Sequence, residues 1–352
     1  MAKKSATKRV VLGMSGGVDS AVSADILMRG GYEVIGVSCR FREGEASEQA
    51  EADAAAVCAR LGIEHRVAVC TDEFEQCVVS KFVDEYAQGL TPSPCVGCNA
   101  TCKIPSLIAA ADELGCDFVA TGHYARVVQM TDTGRFAIKT ALDPKKDQSY
   151  MLAMLRQDQL ARLVLPLGGM TKTDVRLIAE DLALPVAHKK ESQDICFVPD
   201  GDYFKFIESY TGEKFKKGYF KDKNGSILGT HQGIIKYTIG QRKGLGLALP
   251  QPMYVCEKNI DTNEVILCTN EELFEKEVFV SDFNWVSIEN PNTKFKANAK
   301  IRYNMKEQPC TVYPLPDNRI KIVFDEPQRA ITKGQSAVVY DNDYVIGGGI
   351  IE

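Results

Sequence analysis

No stretch of this sequence sustains an apolar run near the ~20 residues that a membrane span requires, and the short basic start from Met1 to Arg9 leads into no apolar signal core. A soluble, cytoplasmic protein is expected. A net positive charge is also lacking: the formal net charge is −5, so no global field advertises a polyanionic partner. Internal repeats and low-complexity tracts are missing too, and a chain of 352 residues without them reads as two or three ordinary globular domains. Cysteine is not lacking, but twelve of them scattered over a chain that is 45% apolar are unlike the framework of a small secreted scaffold. That usage fits a reducing compartment. Charge is distributed unevenly, since Lys189 to Lys243 holds eleven Lys and Arg against seven Asp and Glu. Such an excess reads either as a solvated face or as a basic patch.

The first third alternates short apolar runs with helical periodicity. Arg9 to Gly13 reads as a buried strand, and Val18, Ala21, Val22 and Ile26 recur at helical spacing until Gly30 and Gly31, after which Glu33 to Ser38 resumes as a strand. Further strands are expected at His65 to Val69 and Asp117 to Thr121, with helices between them. The expected fold is α/β, a doubly wound parallel sheet. Thr171 and Asp174 have capping-box spacing ahead of a helix with Val175, Ile178 and Ala179, and Tyr203, Phe206 and Ile207 mark another. From Tyr210 the chain turns Gly- and Lys-rich, as a small central domain would. Beyond about Leu273 six strands are expected, at Glu277 to Trp285, Lys294 to Tyr303, Cys310 to Leu315, Arg319 to Phe324, Ser336 to Tyr340 and Tyr344 to Ile350. An antiparallel β-barrel would leave them no exposed edges. The resulting division is 1–208, 209–272 and 273–352.

The sharpest local signal is Gly13-Met14-Ser15-Gly16-Gly17-Val18-Asp19-Ser20, between the first strand and its helix. Glycines let backbone approach phosphates, Ser15 and Ser20 offer hydroxyls, and the helix N-terminus supplies free N–H groups. No Walker-type lysine is present. The bland alternative is a Gly-rich connection. A second constellation is Thr91-Pro92-Ser93-Pro94-Cys95-Val96-Gly97-Cys98-Asn99, followed by Cys102 and Lys103. Two thiols separated by two residues on a loop can ligate a metal, form a redox pair, or set a nucleophile beside an auxiliary group. Each could also be an inert small apolar residue. A third is Glu191-Ser192-Gln193-Asp194-Ile195-Cys196-Phe197, weak by itself.

The Ser-Gly-Gly-Val-Asp-Ser core resembles the PP-loop of ATP pyrophosphatases, which cut ATP between its α and β phosphates and hold magnesium pyrophosphate. Asp19 would then help organise Mg²⁺. Together with Gly122-His123-Tyr124-Ala125-Arg126, Lys146-Asp147-Gln148-Ser149-Tyr150 and Gly240-Gln241-Arg242-Lys243-Gly244-Leu245-Gly246, these segments make the chain resemble the bacterial tRNA-specific 2-thiouridylases along essentially its whole length. The resemblance implies a PP-loop domain, a small central domain and a tRNA-holding barrel. It implies ATP-dependent adenylation of the C2 carbonyl of wobble uridine 34 in tRNA(Lys), tRNA(Glu) and tRNA(Gln), followed by sulfur transfer from a donor protein or a sulfide source.

Carried over by motif, Cys98 takes the catalytic cysteine position and Cys196 the persulfide-carrying one. Gly13 to Ser20, Cys39 and Gly122 fall on the ATP site, and Ser93, Pro94 and Cys95 on the target-base contact. Contacts to tRNA fall on His123, Lys146, Asp147, Gln148, Arg302, Tyr303 and Gln335. Cys95 stands where the family commonly has Asp, and Cys39 where it often has Met. Two mechanisms therefore stay open: a Cys98 and Cys196 persulfide relay closing a transient disulfide, or a [4Fe-4S] cluster on Cys95, Cys98 and Cys196. Zinc on the same thiols is a third arrangement.

Overall fold

The computed structural model describes residues 8–189, 195–198 and 201–352. Strand β1 (Arg9–Gly13) leads through the glycine-rich loop into α1 (Val18–Arg29), and β2 (Glu33–Arg40), α2 (Glu45–Leu61) and β3 (Glu64–Val69) continue the alternation. The chain then runs through α3 (Thr71–Phe74), a π-helical turn over Glu75–Val79, α4 (Ser80–Ala87), α5 (Pro94–Cys98), a second π turn over Asn99–Lys103 and α6 (Ile104–Glu113) before β4 (Phe118–Ala120). Strands β5 (Arg126–Gln129) and β6 (Phe136–Lys139) form a hairpin, followed by α7 (Gln157–Leu160) and β7 (Leu163–Val164). The first sheet is parallel throughout, with order β3-β2-β1-β4-β7. Because the chain leaves β1 toward β2 on one side and later places β4 on the other, the order switches at β1. A ligand crevice is expected at the carboxyl ends of the strands there.

Helix α8 (Lys172–Asp181) opens with the capping box expected from sequence: Thr171 accepts from the Asp174 backbone N–H, and the Asp174 carboxylate accepts from the Thr171 N–H. Helix α9 (Tyr203–Thr211) follows. A four-stranded sheet then forms from β8 (Gly218–Asp222), β9 (Ile227–His231), β10 (Tyr254–Asn259) and β11 (Glu264–Cys268), in the order β10-β11-β8-β9. Its apolar face has no core of its own. Phe220, Val255, Val265 and Leu267 pack in one cluster with Phe74, Phe82, Tyr86 and Phe197 from the preceding region.

The last six strands are β12 (Phe274–Trp285), β13 (Phe295–Lys300), β14 (Gln308–Leu315), β15 (Arg319–Arg329), β16 (Ser336–Asp341) and β17 (Tyr344–Ile351). They pair antiparallel in the order β12-β15-β14-β13-β16-β17, and β12 pairs with β17 to close the barrel. Strand β16 is buried on both faces, and its period of two explains how. Ala337 and Val339 fill the barrel, whereas Val338 and Tyr340 join the core of the first sheet. The β5–β6 hairpin, which the sequence reading passed over, extends this surface by pairing β6 with β17 at Tyr344↔Lys139 and Val345↔Ile138.

Two local expectations are corrected. Cys95 and Cys98 do not lie on a loop but in α5, because Pro94 at the first helical position starts a helix readily. Strand β13 ends at Lys300 rather than at Tyr303. Ile301 to Met305 turn away, and Tyr303 leaves the barrel wall to meet Tyr150, with ring centroids 5.9 Å apart.

Candidate active site

The loop after β1 is shaped by its own small residues. Gly16 adopts φ +65°, and a Cβ there would lie 2.4 Å from the Ala50 carbonyl oxygen, so glycine is required. A Cβ on Gly122, just past β4, would stand 3.0 Å from the backbone of Asp19 and Ser20. That closeness brings the β4 edge against the loop. The Ser20 hydroxyl donates to the Gly17 carbonyl (3.1 Å), accepts from the Ser15 backbone N–H (3.3 Å) and meets the Ser15 hydroxyl (3.3 Å). Gly17 caps α1 without any side-chain hydrogen bond. The first-turn N–H groups of a twelve-residue helix are thus left for a ligand.

Two lysines reach this loop from far along the chain. Lys172, the first residue of α8, donates to both carboxylate oxygens of Asp19 at 2.7 and 2.9 Å, and the Tyr124 hydroxyl donates to Asp19 Oδ1 at 2.7 Å. Lys189 donates to the Gly16 carbonyl at 2.9 Å and pairs with Asp53 at 2.5 Å. Sequence reading noted the missing Walker-type lysine and did not find these substitutes. The capping box marks where Lys172 begins a helix, but no local signal says where its ammonium ends.

The thiols collect at the same carboxyl edge. The Cys98 thiol is drawn down to about 7, chiefly by a hydrogen bond from Cys102, with the Lys103 ammonium and backbone N–H also favouring the thiolate against the cost of burial. Burial pushes Cys95 up to about 11; negative charge on Cys196 and Cys98 adds to this, and Lys103 opposes it. Cys196 is raised by burial and counteracted first by Lys103. These three thiols therefore share one electrostatic environment, although Cys196 is distant in sequence. Cys95 and Cys196 are both exposed.

Phe197 anchors that arrangement. Its buried ring lies 5.6 Å from Phe74 and 5.0 Å from Phe82, its carbonyl accepts from Arg42, and Cys98 packs against the same cluster. Cys39, at the end of β2, hydrogen-bonds Cys70, which it draws down to about 7 while its own thiol is raised. Cys98 is among the charges felt by Cys39, which ties the thiol cluster to the sheet edge that carries the loop. All twelve cysteines are free thiols.

Residues 8–200 match the family described as tRNA methyl transferase HUP domain, 204–269 the tRNA methyl transferase PRC-barrel domain, and 275–351 the aminomethyltransferase beta-barrel domain. A protein of Acetivibrio thermocellus named tRNA-specific 2-thiouridylase MnmA is 46% identical over 98% of this chain and 99% of its own. Proteins of the same name from Carboxydothermus hydrogenoformans and Clostridioides difficile are 47% and 44% identical, each over 98% of both chains. The chain belongs to the tRNA-specific 2-thiouridylase family. Among solved structures, the U34-tRNA thiolase NcsA of Methanococcus maripaludis, determined with its [4Fe-4S] cluster, aligns over 58% of this chain and 66% of its own at 21% identity and a TM-score of 0.36. A likeness that weak carries no argument about a cluster here.

Within this 2-thiouridylase fold, several positions expected to meet tRNA are already engaged with protein. The Gln335 amide donates to the Thr91 and Pro92 carbonyls at 2.8 and 3.2 Å, and the Thr91 N–H donates to the Lys333 carbonyl at 2.9 Å. The barrel thus holds the segment that enters α5. Arg302 donates to the Arg329 carbonyl (2.7 Å), and Tyr303 donates to the Asp147 carbonyl (3.1 Å). The buried Asp147 carboxylate accepts from the backbone of Ala141 (2.9 Å) and the hydroxyl of Ser149 (2.8 Å). Gln148 accepts from the Tyr124 N–H at 2.9 Å, and Lys146 is half-buried nearby. His123 bonds the Thr121 hydroxyl at 2.7 Å, and burial followed by the Lys103 charge drives its imidazole down to about 3. Glu191 to Asp194 lie outside the described residues.

The glycine-lined cradle, the free helix N-terminus and the two lysines fit a nucleotide triphosphate, and the Asp19 carboxylate beside them is held by Lys172 and Tyr124. Thiolate-held metal is another matter. Among the described residues no three His, Cys, Asp or Glu side chains gather as a set that could hold a metal ion. Among the described residues no helix is long and apolar enough to cross a membrane.

Proposed function

We propose that this chain converts uridine 34 of tRNA(Lys), tRNA(Glu) and tRNA(Gln) to 2-thiouridine in the cytoplasm by adenylation and a two-cysteine sulfur relay. A carbonyl oxygen is a poor leaving group, so sulfide cannot displace it directly. Attack of uracil O2 on the α phosphorus of ATP releases pyrophosphate and leaves an O-adenylated base whose departing group is AMP. The loop N–H groups and Lys172 and Lys189 stabilise the charge that develops on the phosphates. Mg²⁺, held through Asp19, would supply further charge neutralisation.

Sulfur arrives as a persulfide on Cys196, loaded by a donor protein. The Cys98 thiolate attacks Cys196 Sγ, a Cys98–Cys196 disulfide forms, and the terminal sulfur leaves as hydrosulfide to attack C2 as AMP departs. The anticodon base must leave its stack to reach Ser93, Pro94 and Cys95, a low cost in a loop. His123, Lys146, Asp147, Gln148, Arg302, Tyr303 and Gln335 border the region where the RNA would rest. Recognition then combines shape, phosphate contacts and the exposed base, so no strongly basic chain is needed.

The observation that carries this reading is the glycine-rich loop after β1, pressed against β4 at Gly122 and reached by Lys172 and Lys189 from far along the chain. Nucleoside digestion of the three tRNAs after incubation with ATP and a persulfide donor tests it. Mass spectrometry should find 2-thiouridine at position 34 from colourless protein free of iron. Activity that requires bound iron and sulfide would replace the relay with a cluster and leave the adenylation step standing.

A further inference from the structure

The relay leaves Cys98 and Cys196 joined, and the protein cannot turn over until that bond opens. Cys196 must also be freed specifically, because it is the thiol that is reloaded. Two thiols near Cys98 could do this. Cys102 lies four residues on, but it is 1% exposed and packed among Phe74, Phe82 and Phe197, so a disulfide it formed would be closed to any reductant. Cys95 lies three residues before Cys98 on α5, is exposed, and interacts with both Cys98 and Cys196. Residues three apart on a helix have Cβ atoms about 5–6 Å apart, slightly beyond disulfide span and within reach of a small adjustment at the N-terminal end of α5, where Cys95 is the second helical residue.

Resting on the relay, we propose that Cys95 is its resolving thiol. The Cys95 thiolate attacks Cys98 Sγ, the Cys98–Cys196 bond breaks, a Cys95–Cys98 disulfide forms, and Cys196 leaves as a thiolate ready to accept sulfane sulfur. One thiol and one disulfide stand on each side of the exchange, and one proton leaves Cys95 while Cys196 gains a negative charge. An external dithiol then reduces the exposed Cys95–Cys98 bond, becoming a disulfide itself and returning both thiols. Burial is the first cause that holds the Cys95 thiol up, and negative charge on Cys196 and Cys98 adds to it; joining those two removes the added part, which eases attack by Cys95 in the second step.

The test is a single turnover of persulfide-loaded protein on tRNA without reductant, quenched in acid and N-ethylmaleimide and mapped by non-reducing peptide mass spectrometry. Wild type should yield mainly the Cys95–Cys98 disulfide. Cys95→Ser and Cys95→Asp should each yield Cys98–Cys196 instead. With a dithiol reductant present, their ratio of steady-state to first-turnover rate should fall about tenfold, since the reductant must then open the Cys98–Cys196 bond by a bimolecular attack with no neighbouring thiol to do so first. A role limited to touching the base would lower both rates and leave that ratio unchanged. Wild type that accumulates only Cys98–Cys196, or variants whose ratio equals that of wild type, would overturn the proposal with the relay intact. If no Cys98–Cys196 bond forms in either variant, the relay itself fails.

Discussion

Asp19 faces both the phosphate site and a nearly buried cation, and substitution separates the two roles. Lys172 is 8% exposed, and Asp19→Ala leaves its ammonium without that carboxylate. Breaking a buried pair costs about 3–5 kcal/mol, and the partial exposure of Asp19 reduces the expectation to about 1–3 kcal/mol in urea unfolding. Pyrophosphate release should fall at least about a hundredfold, as expected when a preorganised charge contact to the phosphates is lost. Asp19→Ala combined with Lys172→Met should recover most of the stability and none of the activity, whereas recovery of both would remove Asp19 from the site. A second outcome follows from the lowered Cys98 thiol. Its alkylation by iodoacetamide should rise through about pH 7, while Cys95 responds only toward about pH 11. Lys103→Met should move the Cys98 curve upward, because it removes a cation that favours the thiolate. Peptide mass spectrometry resolves the two sites, and superimposable curves would contradict the assignment.

Elements of the parallel sheet were legible because their signals are local. The run Arg9 to Gly13, the helix from Val18 and the Thr171 box all stand where the sequence puts them. What escaped depends on partners far away. The β5–β6 hairpin is a strand pair because β17 lies beside it, and the Asp19 partner lies 153 residues down the chain. The thiol pair was legible as chemistry but misplaced as a loop, since Pro94 both ends an extended approach and starts a helix. The Gly16 turn is the element on which the phosphate site depends most. Gly16→Ala should abolish ATP binding by calorimetry, because the left-handed conformation costs about 1–2 kcal/mol and the added carbon meets the Ala50 carbonyl at 2.4 Å. Binding within a few-fold of wild type would show that the loop is not the nucleotide cradle.

Across the whole molecule, function depends on one edge where three parts meet. The parallel sheet presents the loop, Phe197 fixes Cys196 against the helices that carry Cys98, and Gln335 of the barrel ties down the approach to α5. That last contact ties the barrel to the segment that carries the thiols. The chemistry joining these parts is the claim that ATP activates the uracil oxygen as an adenylate, and isotope transfer tests it directly. A substrate tRNA bearing ¹⁸O at C2 of uridine 34 should, after one turnover, deliver the label to the phosphate of AMP and none to pyrophosphate. Label found in inorganic phosphate beside ADP, or lost to water with AMP unlabelled, would contradict adenylation.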